Sequence, residues 1–359
     1  MLLTPVVSAC SSDDKEESAE EWMLPDPNNS TVYVEFDASI REVTGDSTLY
    51  DENWLNKFKV YGFTNPMGFS VFGNTRQRTA QGVDVTRNHD DETMWDYKDS
   101  QTKAPLKWAN LLKYPISFYA VAGEGAPMAS FGMKHNMPTL RVVTPVDEEP
   151  RDLLFAQSLR LDPRKYLNDT TKVELRFEHI LAIVNLSATL ADANDLDVEV
   201  QSAMLMNMAT AAEWDFNEIA PVWSRYTPEC AEPTRNVVLE LKEPVKVGVT
   251  PVMLQDRGAA IVPQEVKGWS SASKGDGAGI KLMARVHSKA TGQYLAGSAT
   301  TYGEVFLPMD DITFVTRATY TLNVTFHTLY NADGSLGYRA SDKTQVQPWT
   351  YKDEYLTLE

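Results

Sequence analysis

The side chains of this chain that could do chemistry are scattered rather than clustered. Its five histidines, His89, His135, His179, His287 and His327, include no close pair of the kind zinc motifs use. A histidine within a strand is more simply read as a surface or half-buried residue than as a ligand. No Gly-x-Ser-x-Gly elbow, phosphate loop or dinucleotide fingerprint occurs, and Gly123-Glu124-Gly125 lacks the third glycine and reads as a hairpin or loop. Asp192, Asn194, Asp195 and Asp197 crowd oxygen ligands together, which suits calcium, yet the glycine and distal glutamate of an EF-hand loop are missing. An acidic turn between two strands is the simpler reading. With 50 acidic residues, some carboxylate pairs will reach glycosidase-like separations by accident. Eight tryptophans (Trp22, Trp54, Trp95, Trp108, Trp214, Trp223, Trp269 and Trp349) could stack on sugars or fill a core. No catalytic residue, metal ligand or cofactor site is assigned.

The cysteines are more informative. There are two, Cys10 and Cys230, and Cys10 follows Val6, Val7, Ser8 and Ala9. Small residues before a cysteine and after an apolar stretch resemble a bacterial lipoprotein cleavage box, in which the cysteine becomes the mature N-terminus and carries acyl chains. The apolar stretch is short and no Lys or Arg precedes it, as expected if Met1 lies inside a longer signal peptide. Residues 11–21 are polar, acidic and without aromatics, so they read as a tether that cannot pack. The formal charge of −17 repels nucleic acid and anionic membranes, and no 18-residue apolar run exists to span a bilayer.

The elements that must position any site are strands. Val32, Val34 and Phe36 alternate with Tyr33 and Glu35, the period of a half-buried strand. Further strands are expected at 57–63, 68–73, 116–122 and 140–146, with Gly, Pro, Asn and Asp between them. Val173, Leu175 and Phe177 alternate with polar residues, and then the parity flips, with Ile180, Ala182, Val184 and Leu186 apolar. Such a flip near Glu178-His179 implies a bulge or a strand crossing between sheets. Alternation resumes at Leu196, Val198 and Val200, at Leu282, Ala284 and Val286, and at Tyr320, Leu322, Val324 and Phe326. Asn331-Ala332-Asp333-Gly334 then supplies a tight turn. Short helices are expected near 104–113 and 203–213. The fold class is all-β, and the charged, proline-bearing stretch in 147–171 marks a junction. The division is residues 1–30 as signal remnant, lipobox and tether, 31–165 as an N-terminal β-sandwich, and 166–359 as a C-terminal one.

Several landmarks occur together in order. They are Trp108 before Ile116-Ser117-Phe118-Tyr119-Ala120; Asp152-Leu153-Leu154-Phe155-Ala156; residues 173–182; Ile261-Val262-Pro263-Gln264; residues 318–324; and Val346-Gln347-Pro348-Trp349. In this order the chain resembles the fimbrillin-like, FimA-type family of Bacteroidetes, which includes type V pilus subunits. The match departs at Ile183, where the family usually carries a basic residue. The Ser/Asp/Glu run after Cys10 likewise resembles the surface-export signal of Bacteroidetes lipoproteins. The resemblance implies two tandem transthyretin-like sandwiches and a lipoprotein of the outer membrane surface or fimbrium, lipidated at Cys10. It also implies assembly by β-strand addition: a protease cuts after an arginine, an N-terminal strand leaves, and a strand of another subunit fills the groove. Here Arg41 is the expected processing residue and Val32, Val34 and Phe36 the displaceable strand. A static surface arginine is the simpler reading of Arg41 alone. The partners implied are other fimbrial subunits, and a host or bacterial surface protein or glycan, with membrane contact only through the lipid. A surface glycan-binding lipoprotein and a β-sandwich hydrolase are the alternatives.

Overall fold

The computed structural model describes residues 32–41, 43–44, 55–65, 68–73, 82–99, 103–123, 128–134, 137–144, 152–167, 171–215, 222–225, 234–239, 241–269, 277–330, 336–348 and 350–351. In chain order the strands begin with β1 (Phe36–Ile40), β2 (Val43–Thr44), β3 (Lys57–Thr64), β4 (Gly82–Arg87), β5 (Trp95–Tyr97), β6 (Ile116–Ala122), β7 (Met128–Lys134), β8 (Met137–Val143), β9 (Leu154–Leu161) and β10 (Val173–His179). There follow β11 (Ala182–Leu190), β12 (Leu196–Ala209), β13 (Ala211–Asp215), β14 (Val222–Arg225), β15 (Thr234–Leu239), β16 (Val245–Val247), β17 (Val252–Met253) and β18 (Ala259–Ile261). The last are β19 (Gln264–Val266), β20 (Gly279–Ser288), β21 (Tyr294–Ala296), β22 (Gly303–Pro308), β23 (Ile312–Phe314), β24 (Ala318–Tyr330), β25 (Leu336–Pro348) and β26 (Thr350–Tyr351).

Seven strands form one sheet, in the order β1-β10-β9-β6-β3-β4-β5. β6 is apolar except for Ser117 and every one of its side chains is buried, as a central strand covered on both faces requires. β10 alternates, burying Val173, Leu175 and Phe177 and exposing Glu174 and Arg176. Only two residue pairs join β10 to β9, Glu178 opposite Phe155 and His179 opposite Leu154, and there the sheet folds over on itself. Phe36 of β1 therefore meets Tyr97 of β5, from the other end of the strand order, with ring centroids 5.4 Å apart. Phe58 of β3 reaches Phe177 of β10 at 5.3 Å through the same core. The sheet thus supplies both layers of a first sandwich, with Leu55, Phe72 and Trp108 filling it.

The opposite face of β3, β6 and β9 carries Tyr61, Phe63, Tyr119, Val121 and Phe155. A four-stranded sheet, β14-β13-β8-β7, covers it with Phe131, Leu140 and Trp214. Ile180, Leu181, Ile183 and Val262 enter the same core from the second half of the chain, so this middle layer ties the halves together. Beyond it lies a second sandwich. A sheet in the order β17-β11-β24-β25, with β18 on β11, faces one in the order β15-β12-β20-β21, with β16 on β12 and β22 on β20. Val184, Leu186, Val200, Leu205, Leu282 and Leu322 are among the residues they enclose.

The parity flip has a simple cause. β10 ends at His179 in the first sheet, Ile180 and Leu181 turn into the middle core, and β11 starts at Ala182 in the second sandwich. β10 lies C-terminal to position 165, and its ladders bind it to β9 and β1. Two local expectations are corrected and a third is sharpened. The 203–213 stretch is not helical: its Ala and Met residues belong to β12 and β13, where pairing with β15, β20 and β8 overrides helix propensity. The 68–73 stretch makes only an isolated bridge, Phe63 to Ser70, and the 104–113 helix is the single 3-10 turn Trp108–Leu111. The turn at 331–334 lies outside the described residues, but the strands it joins pair antiparallel from Tyr330 opposite Leu336.

Candidate functional site

The first strand sits later than its alternation suggests. β1 starts at Phe36, and Val32 and Val34 precede it as extended chain. That approach pairs with a different neighbour: the Val34 N–H donates to the Leu106 carbonyl (2.8 Å) and the Trp108 N–H to the Val32 carbonyl (3.1 Å). β1 then runs parallel to β10, with Phe36 opposite Val173 and Ile40 opposite Phe177. Among the described residues no strand lies on its other side, so β1 is a sheet edge.

Although the backbone is at an edge, the side chains reach the core. Val34 and Phe36 are buried, and Val32, Ala38 and Ile40 pack against the same cluster. Phe36 is 1% exposed. Its ring lies 5.4 Å from Tyr97, 5.5 Å from Phe118 and 6.3 Å from Phe58, the last two edge to face. Tyr97 also pins the segment by its hydroxyl, which donates to the Val34 carbonyl (2.9 Å) and accepts from the Leu106 N–H (3.0 Å). Burial pushes the Tyr97 phenol well above its usual range, although the Leu106 contact works the other way, so the hydroxyl stays a donor. Taking the segment out would uncover Phe58, Phe118 and Phe177, the Tyr97 hydroxyl and the backbone edge of β10.

Arg41 closes the segment. Its N–H donates to the Phe177 carbonyl (2.9 Å), and its guanidinium is paired with Glu178. The side chain is 17% exposed, so Arg41 is not a freely solvated loop arginine. Arg317, from the turn before β24, pairs with the other oxygen of Glu178. The next residue, His179, is buried against Asp152, whose other oxygen accepts from the Leu153 N–H (2.7 Å). Cys10 and Cys230 lie outside the described residues.

The other candidates do not converge. His89 is exposed beside Asp90, and His287 is half-buried between Asp197 and the Tyr294 ring. His327 lies half-buried in β24, and His135 is outside the described residues. In the acidic turn, Asp192 caps Asn194, Asp195 accepts from Thr328, and Asp197 faces His287 and Lys289. Among the described residues no group of three His, Cys, Asp or Glu could hold a metal ion. The described tryptophans share no open face. Trp108 is buried flat against Tyr166 at 4.4 Å, Trp95 packs on Phe58, Trp214 stacks on Trp223, and Trp269 is 36% exposed elsewhere. Trp22, Trp54 and Trp349 lie outside the described residues. Sequence reasoning missed Tyr97, Glu178 and Arg317. Only the long-range pairing of β1 reveals them.

The solved structure of a fimbrial protein from Bacteroides vulgatus aligns with 88% of this chain and 99% of its own, at 15% identity and a TM-score of 0.52. The chain has the fold of that fimbrial protein. A candidate cell adhesion protein from Bacteroides uniformis matches at 14% identity over 87% of this chain and 97% of its own, with a TM-score of 0.40. The tip fimbrial protein Mfa3 from Porphyromonas gingivalis, C-terminally truncated, matches at 10% identity over 86% and 98%, with a TM-score of 0.37. No family model matches the chain, and no curated protein sequence matches it. No helix among the described residues is long and apolar enough to cross a membrane.

Proposed function

We propose that this chain is a subunit of a bacterial surface fimbrium, or an adhesin associated with one, that acts by binding rather than by catalysis. The observation that carries the reading is the edge segment bearing Phe36: its side chains complete a core, while among the described residues β1 joins its sheet through β10 alone. An edge strand of that kind is replaceable by an extended segment of another chain, which inherits both the ladder and the pockets. In this reading a protease cuts after Arg41, the part bearing Val32, Val34 and Phe36 leaves, and a strand from another subunit enters. Local opening precedes the cut, because the Arg41 side chain must leave Glu178 to enter a protease pocket. Acylation at Cys10 holds the unprocessed chain to the outer membrane. A host or bacterial surface protein or glycan is a further partner. The fold shared with the Bacteroides vulgatus fimbrial protein supports the reading.

N-terminal sequencing of the chain recovered from assembled surface material tests the processing step. A mature chain beginning just after Arg41 is expected, and assembled chains that all begin at Cys10 would sink that step.

A further inference from the structure

The N-terminal strand and the second sandwich meet on one carboxylate. Glu178 stands on β10 one position beyond the last β1–β10 pair, Ile40 opposite Phe177. One of its oxygens takes the Arg41 guanidinium and the other takes that of Arg317. Arg317 belongs to the turn between β23 and β24; its backbone is left-handed, with φ of 61°, and its N–H donates to the Leu181 carbonyl at 3.3 Å. The Glu178 and Arg317 side chains are only 21% and 33% exposed. Charges withdrawn from water to this extent need their counterions far more than surface pairs do.

We infer that Glu178 is a shared socket that recognises a guanidinium at the end of whichever strand occupies the β1 position, and that makes the junction with the second sandwich responsive to that occupancy. The inference rests on the reading of β1 as exchangeable and narrows its ligand. The fitting partner is an extended segment with core-facing side chains at alternate positions, as Phe36, Ala38 and Ile40 are placed, followed at once by an arginine. With that arginine seated, Arg317 shares Glu178. With the strand gone, Glu178 belongs to Arg317 and the junction contact tightens.

Amide hydrogen exchange on the full-length chain tests this, read at Arg41, at Arg317 and in β20 as a core reference. Glu178→Gln leaves two half-buried guanidinium groups without their shared counterion. It is expected to raise exchange at Arg41 and Arg317 together, about tenfold for the loss of a charge-assisted contact, and to leave β20 unchanged. Arg41→Gln is expected to leave exchange at Arg317 the same or slower. The inference is overturned if Glu178→Gln moves only one of the two sites, if it moves β20 equally, or if Arg41→Gln speeds Arg317 as far as Glu178→Gln does. Should Glu178→Gln not fold, Glu178→Asp, which keeps the charge and shortens the reach, is expected to give the same pattern at smaller amplitude, and the same three results overturn the inference. None of these outcomes depends on assembly. A socket that behaves as stated in a chain that never exchanges strands would leave the inference standing and count against the reading of β1.

Discussion

If the segment bearing Phe36 is exchangeable, the Phe36 pocket sets how tightly the first sandwich holds it, and the packing fixes the size of that effect. Consider the folded chain cut at a recognition sequence introduced between Thr44 and Leu55, with a synthetic segment of residues 32–41 competing for the groove. Phe36 is 1% exposed, and its ring meets three others at 5.4, 5.5 and 6.3 Å. Truncating so buried a phenylalanine to alanine costs about 3–5 kcal/mol, the spread reflecting how far the site collapses. At about 1.4 kcal/mol per decade, a segment with Phe36→Ala binds roughly 140- to 3,700-fold more weakly than the native one. Asp37 is exposed on the same strand, so a segment with Asp37→Ala stays within about threefold, the effect of an uninvolved surface position. Competition read by fluorescence anisotropy measures both. If Phe36→Ala weakens binding by less than about tenfold, or Asp37→Ala matters as much, the pocket is not what holds the strand.

Three further outcomes follow from the contacts around it. Tyr97→Phe keeps the ring but strips the Val34 carbonyl and Leu106 N–H of their shared partner, and is expected to cost about 1–3 kcal/mol in denaturant unfolding. Asp152→Ala removes a carboxylate buried against His179 at the fold-over of the first sheet, and is expected to cost about 3–5 kcal/mol by the same assay. Alkaline stability falls because of buried phenols: burial, with nearby Asp84, pushes Tyr61 up to about 12, and burial, opposed by Ser117 and Arg160, pushes Tyr119 up to about 12. Both are protonated in either state below the ordinary phenol value of about 10, and above it the unfolded chain ionises first. Stability is therefore full below that value and declines from there toward the folded values. Site-resolved magnetic resonance titration of the Tyr61 and Tyr119 rings, run beside circular dichroism, should show these two phenolates appearing only with unfolding, and either of them appearing at its ordinary pH in a folded chain would contradict it.

What the sequence makes legible here is what local periodicity controls. The apolar run of β6 announces a central strand, the alternation of β10 and β24 announces half-buried ones, and the flip at Glu178-His179 marks where the chain leaves one sandwich for the other. Alternation also picks out Val34 and Phe36 as core-facing, although the ladder begins only at Phe36. What stays hidden depends on which distant segments meet. Glu178 lies 137 positions from Arg41 and 139 from Arg317, and neither flanking sequence marks it as the ligand of both. The Tyr97 hydroxyl matters only because the chain before β1 is laid beside Leu106. Residues 203–213 misled for the opposite reason. Their Ala and Met content favours helix locally, and the ladders on both sides of β12 decide otherwise.

The most direct measurement is the behaviour of the folded chain once cut between Thr44 and Leu55. If β1 is an exchangeable strand, removal of the N-terminal piece yields chains that join end to end into linear oligomers, seen by size-exclusion chromatography and electron microscopy. Excess free segment of residues 32–41 blocks the joining, and the Phe36→Ala segment does not. Cut chains that lose the piece yet remain monomeric, or that assemble equally well with the segment in excess, would contradict strand exchange at this edge.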